Sequence, residues 1–168
     1  MKSIGLRGAV EVIGIIAIVA SLVFVGLELR QSQRIAIAGQ YQDRAEHFAD
    51  VVYGRLALQS AQENLARRAR EVYAPTIDSA IFDSMSDEAI AYAWSNAGAN
   101  LTMFDNNHFQ YQLGFMSEEG WQSQRRRLSG ALRYSQFMRA EMLLRGDRYR
   151  DTFRQLANEL IAEIVNEQ

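Results

Sequence analysis

The chain has 168 residues, no cysteine and a formal charge of −2, with 18 basic side chains against 20 acidic ones. That length holds one small domain plus an extra segment, not two full cores, and the lack of cysteine excludes disulfides, thiolate metal ligands and a cysteine nucleophile. The near-neutral balance points to neither an acidic nor a basic partner, although the basic residues are nearly all arginine and Lys2 is the one lysine.

The first element is VIGIIAIVASLVFVGL, residues 12–27, uncharged throughout and bounded by Glu11 and Glu28. Sixteen helical residues rise ~24 Å, short of a ~30 Å hydrocarbon core, whereas Gly8 to Leu29 rises ~33 Å. Both glutamates then fall near the interfaces, where headgroups and water reduce the cost of a carboxylate. Because Ile, Val, Leu and Phe cover nearly every face, the segment reads as a single membrane-spanning helix. On this reading residues 1–30 are the anchor and 31–168 a helical domain. Two alternatives stay open. One is a cleaved signal peptide, with Lys2 and Arg7 before the apolar run and Ala36-Ile37-Ala38 as a small-x-small site, although Arg30 and Arg34 intervene. The other is a buried helix of a soluble bundle.

Arg30, Arg34 and Arg44 after the span outnumber Lys2 and Arg7 before it, which favours a single-pass inner-membrane placement with a cytoplasmic C-terminal domain. Glu11, Gly14, Ile18, Ser21, Val25 and Glu28 recur at spacings of three and four, and with Ala17 beside them the small members of this stripe, Gly14, Ala17 and Ser21, let a second helix approach. Small residues are also ordinary in solitary spans, so self-association and a plain anchor are both compatible with this stripe.

Beyond the anchor, one long helix is expected to run to about Gln59, tolerating Gly39 and Gly54, with Ile35, Ala38, Ala45, Ala49, Val52 and Leu56 on its buried side. A shorter helix over Gln62 to Tyr73 stops before Pro75, since proline disfavours helical geometry in the preceding residue. Ile90, Trp94, Ala97, Leu101, Phe104, His108, Tyr111 and Phe115 then recur at spacings of four and three, the core stripe of a long helix. Ser84 or Ser86 caps its start, with Asp87 and Glu88 in the first turn, and Gly114 suits its end. Ser117 opens the next helix, which carries Trp121, Leu128, Leu132, Phe137 and Met138, with an interruption expected near Ser129-Gly130. Gly146-Asp147 marks a stop and restart, and the last helix presents Tyr149, Phe153, Leu156, Leu160, Ile161 and Ile164. The expected fold is all-α: an N-terminal transmembrane helix continuing into a small helical bundle.

Two segments, LVFVGLELRQSQRIA and NNHFQYQLGFMSEEGWQ, carry a resemblance. They are similar to a widespread group of small uncharacterised bacterial proteins in which a short hydrophobic N-terminal helix runs into a Q-I-R-Q-N-T-R-A-like segment. A later segment of that group reads like E-N-x-x-x-Q-Y-x-x-G-L-x-D-E-E-x-W. The first pattern falls on Glu28, Leu29, Arg30, Gln31 and Arg34, with Ser32 and Gln33 in place of Asn and Thr. The second falls on Asn106, Gln110, Tyr111, Gly114, Phe115, Ser117, Glu118, Glu119 and Trp121, with Asp105 in place of Glu and Ser117 in place of Asp. The resemblance implies an anchored helical fold and brings no activity with it.

Chemistry-bearing patterns are sparse. Asp105-x-x-His108 and the group Asp43, Glu46 and His47 have helical metal-site spacing, but a dimetal bundle site needs two Glu-x-x-His units and neither is present. There is no Gly-x-Ser-x-Gly elbow and no glycine-rich phosphate loop, so the residues single out no class of enzyme and imply no cofactor. Arg125, Arg126 and Arg127, with Arg133, Arg139, Arg145, Arg148 and Arg150, form the most basic region, a candidate contact for lipid headgroups. Its spread around two helices and its dilution by Glu141 and Asp147 argue against nucleic acid.

Asn106, Asn107, His108, Gln110, Tyr111 and Trp121 are dense in amides and aromatics, either a polar layer joining helices or a binding groove. The function expected is that of a membrane-anchored interaction or scaffold protein, self-associating or docking to a membrane complex. Alternatives are a small-ligand binder or enzyme using the His108/Tyr111 region, and a homo-oligomeric channel or regulator with Ser21 and Glu28 around a pore.

Overall fold

The computed structural model describes residues 5–56 and 59–167. Lys2 lies outside the described residues, as do the side chains of Arg7 and Leu56. Among the described residues there are seven α-helices and no strand: α1 (Leu6–Leu56), α2 (Gln59–Tyr73), α3 (Ser79–Asp83), α4 (Asp87–Gln112), α5 (Glu118–Tyr134), α6 (Gln136–Arg145) and α7 (Asp151–Asn166), with a 3₁₀ turn at Gly146–Arg148 before the last. The chain divides into two compact units, Met1–Gly39 and Gln40–Gln168.

In the first unit, α1 is long and apolar enough to cross a membrane. Its large aliphatic and aromatic side chains from Val10 to Leu29 are all exposed, Ile13 by 66% and Leu22 by 67%. Ile35, expected on a buried side, is exposed as well, whereas Ala38 is buried.

The second unit is a helical bundle whose turns follow local chemistry. Ser86 Oγ accepts from the Ala89 N–H at the start of α4, and Ser117 Oγ accepts from the Gly120 N–H at the start of α5. Asp87 and Glu88, and likewise Glu118 and Glu119, occupy the first turns, where the helix dipole favours negative charge. α4 ends in a Schellman turn: Gly114 adopts φ +79°, its N–H reaches the Tyr111 carbonyl and the Phe115 N–H reaches the Gln110 carbonyl. Phe115 therefore leaves the α4 stripe and is 43% exposed, not in the core.

The break expected at Ser129-Gly130 is absent there, and α5 runs through it to Tyr134. The interruption falls at Ser135, whose extended backbone ends α5 while its Oγ accepts from the Met138 N–H to start α6. Arg139 closes the same joint by donating from Nη1 to the carbonyls of Leu132 and Arg133. Phe137 and Met138 thus belong to α6, and Tyr149 is a buried side chain lying just before α7. The short α3, capped by Asp78 accepting from the Ala80 N–H, has no counterpart in the expected elements.

α2 packs along α4, and α4 also meets α5, α6 and α7. The core centres on Tyr73, Ile90, Leu101, Leu128, Leu132, Phe153 and Ile164, all under 2% exposed. Tyr73 meets Trp94 and Phe137 edge-on, and Phe137 in turn meets Phe82, so the rings interlock by their preferred perpendicular geometry.

Candidate functional site

Helical rotation divides the amide and aromatic segment of α4 between two faces. His108 and Tyr111 turn toward α5: the His108 ring lies 5.0 Å from the Trp121 ring, and Tyr111 stacks on the same indole at 5.3 Å with planes 14° apart. Tyr111 donates its hydroxyl to Glu118 Oε2 at 2.5 Å, which raises the phenol and lowers the carboxyl from their ordinary values. Trp121 is buried and Phe153 flanks His108 at 6.2 Å. This half of the expected polar layer is an aromatic seam between α4 and neighbouring helices.

Asn106, Asn107 and Gln110 turn the other way and line a cleft between α4 and the part of α1 that follows Gln40. Asn107 also donates to Gln124 Oε1 at 3.3 Å, linking α4 to α5. The cleft has two lobes that share Ala45 and Asn106 in their walls. One, of about 470 Å³, is lined by amides and soft apolar side chains including Gln42, Asn100, Met103 and Met116. The other, of about 390 Å³, brings Arg44, Arg148 and Arg150 together with Tyr41, Phe48, Thr102 and Asp105. Above the first lobe Tyr53 donates its hydroxyl to Asn96 Oδ1 at 3.1 Å, fixing α1 against α4 at that end.

Arg150 anchors the second lobe. Its Nη1 donates to Asp105 Oδ2 at 2.9 Å, and its guanidinium carbon sits 4.4 Å from the Tyr41 ring centre and 4.2 Å from that of Phe109. Two aromatic faces thus hold the cation in place by quadrupole attraction, while Tyr41 and Phe109 meet edge-on at 4.8 Å. Burial pushes the Asp105 carboxyl up, opposed by Arg150. Burial pushes the His108 imidazole down, opposed by Asp105 and reinforced by Arg150.

Asp105 and Asn106 are each 8% exposed, and among the described residues neither Oδ1 atom has a hydrogen-bond donor. Such undonated buried acceptors are rare and costly. Among the described residues, Arg44 lies 5.8 Å over the Tyr41 ring and makes no ion pair, and Arg148 makes neither an ion pair nor a hydrogen bond.

The remaining expected site residues lie elsewhere. Gly14, Ala17, Ser21 and Glu28 share an arc of about 60° on α1 at 100° per residue, all of them exposed. Arg125, Arg126 and Arg127 form no ion pair among the described residues. The rest of the basic region is largely committed: Arg133 to Glu167, Arg145 to Glu141, Arg150 to Asp105, and Arg139 to the α5 carbonyls. Glu141, expected to dilute a surface patch, is 2% exposed, because its partners Tyr73, Tyr149 and Arg145 converge on it inside the bundle. Among the described residues no three His, Asp or Glu side chains gather as metal ligands.

The second lobe was not anticipated, although a signal was present. Tyr41, Arg44 and Phe48 repeat at three and four on one side of α1, opposite Thr102 and Asp105 at three on α4. Compared with protein-family models, curated proteins and solved structures, the chain matches none.

Proposed function

We propose that this is a single-pass membrane protein whose helical domain works by protein contact, either between copies or with a membrane complex. The observation that carries the reading is the first unit of α1. Thirteen large apolar side chains between Val10 and Leu29 face outward on every side of the helix, and covering them is worth on the order of 20 kcal/mol at ~1.5 kcal/mol each. A helix apolar all round suits lipid better than a partner on one flank. The excess of arginine beyond the span supports a cytoplasmic bundle, and the arc of Gly14, Ala17, Ser21 and Glu28 offers a packing face for a second span.

The full chain, expressed and separated into membrane and soluble fractions, tests the anchor: it stays in the carbonate-washed membrane with its N-terminus intact, and its mass in lipid nanodiscs exceeds that of one copy or includes a partner. A soluble monomer, or a chain shortened near Ala38, overturns the proposal.

A further inference from the structure

We propose that the lobe between Tyr41–Phe48 of α1 and Thr102–Asn106 of α4 binds a zwitterionic small molecule, its oxyanion on Arg44 and Arg148 and its N–H donors on Asp105 and Asn106. The lobe presents unmatched groups of both kinds. Three guanidiniums stand against one carboxylate, and Arg150 alone is engaged with it. Arg44 and Arg148 keep their forked donors for an oxyanion, the geometry that guanidinium recognises best. The Oδ1 atoms of Asp105 and Asn106 are acceptors with no donor among the described residues. An anion alone leaves those two oxygens unmatched, and a cation alone leaves the two arginines unmatched. A ligand carrying an ammonium a few bonds from an oxyanion answers both.

Access is compatible with this. Both oxygens are closed to solvent, so the ammonium enters with a shift of the wall, and Phe48 in that wall is 42% exposed and outside the core. The pre-set part of the site is Arg150, held over the Tyr41 and Phe109 rings and bonded to Asp105 Oδ2, which fixes the carboxylate while its buried Oδ1 keeps an unused acceptor. Beyond Ala45 and Asn106, the neighbouring lobe with Met103 and Met116 receives uncharged parts of a larger ligand. The same headgroup chemistry occurs in free metabolites and in zwitterionic amino-phospholipids.

The test is calorimetric titration of the full chain in nanodiscs of phosphatidylcholine and phosphatidylglycerol with three probes: phosphoethanolamine, inorganic phosphate and ethanolamine. Phosphoethanolamine is expected to bind about tenfold or more tighter than either half, as each added charge-assisted contact is worth roughly that factor. R148A and R44A, both at exposed positions, each weaken it about tenfold. N106L removes the preference for phosphoethanolamine over phosphate.

Nanodiscs containing phosphatidylethanolamine distinguish the sources: a weakened titration identifies the lipid headgroup, and an unchanged one identifies a free ligand. Equal affinity for phosphate and phosphoethanolamine, no binding of any probe, or undiminished binding by R148A overturns the proposal. R148A keeps the test open should N106L fail to fold.

Discussion

Tyr73 donates its hydroxyl to Glu141 Oε2 at 2.5 Å, joining the end of α2 to the middle of α6 across 68 positions with both side chains buried. The carboxylate also accepts from Arg145 at 3.3 Å and from Tyr149 at 3.4 Å, and Arg145 lies 5.4 Å over the Trp94 ring. Tyr73→Phe keeps the ring contacts with Trp94 and Phe137 and removes one hydrogen bond to a charged group, so a loss of about 1–3 kcal/mol is expected. In a Glu141→Gln background the same change costs less, because the charged acceptor has already gone. Urea unfolding of the four proteins measures the coupling; equal costs in the two backgrounds would refute it.

The same cluster predicts an alkaline limit. Burial, followed by the Glu141 charge, raises the Tyr73 and Tyr149 phenols well above 10. In the unfolded chain both lose their protons near pH 10, while the fold retains them. Stability from these groups is therefore complete below pH 10 and falls above it, by about 1.4 kcal/mol per pH unit for each. Following phenolate absorbance beside helical circular dichroism, two of the seven tyrosines are expected to ionise only as helicity collapses. Seven ionisations with the helices intact would contradict this.

Two glycines give opposite signs for one substitution. Gly114 holds φ +79° in the Schellman turn, where Gly114→Ala forces an L side chain into a left-handed conformation and destabilises by roughly 1 kcal/mol. Gly130 lies within α5, and a Cβ added there meets nothing within 4 Å. Gly130→Ala is expected to stabilise by about 0.5–1 kcal/mol through helix propensity. Thermal melts of the two variants decide the matter; if Gly130→Ala also destabilises, α5 is strained at the point where it was expected to break.

What was legible in the sequence is what local chemistry decides. The stripe from Ile90 to Tyr111, the caps at Ser86 and Ser117 and the turn at Gly114 depend on neighbours three or four residues away, and each is present. The break near Ser129-Gly130 was misplaced because glycine weakens a helix by only about 1 kcal/mol, which burial of Leu128 and Leu132 outweighs. Ser135 ends the helix with help from Arg139, a donor four residues further along. The candidate site was half legible: Asn106 to Trp121 was marked by composition, but its division into an aromatic seam and an open cleft depends on which helix lies on each side. Likewise Glu141 resembles any surface glutamate until Tyr73 and Tyr149 arrive from elsewhere in the chain.

His108 sets an acid limit. Burial lowers its imidazole below 6.5, Asp105 partly opposes the shift and Arg150 adds to it; the ring is flanked by Trp121 and Phe153, which offer it no charge. The unfolded chain takes up a proton as pH falls through 6.5 while the fold does not, so this contribution to stability is whole above 6.5 and is lost toward the folded value. Asp105 works with the opposite sign, because its raised carboxyl favours the fold at low pH and loses that advantage as pH rises through its folded value. The two contributions run in opposite directions, so removing the imidazole alone isolates that of His108. His108→Phe keeps a flat ring between Trp121 and Phe153 and removes the titration. The urea midpoint of the native chain should drop between pH 7.5 and 5.5, and that of the variant should drop less. An identical drop in both would move the acid sensitivity to another group.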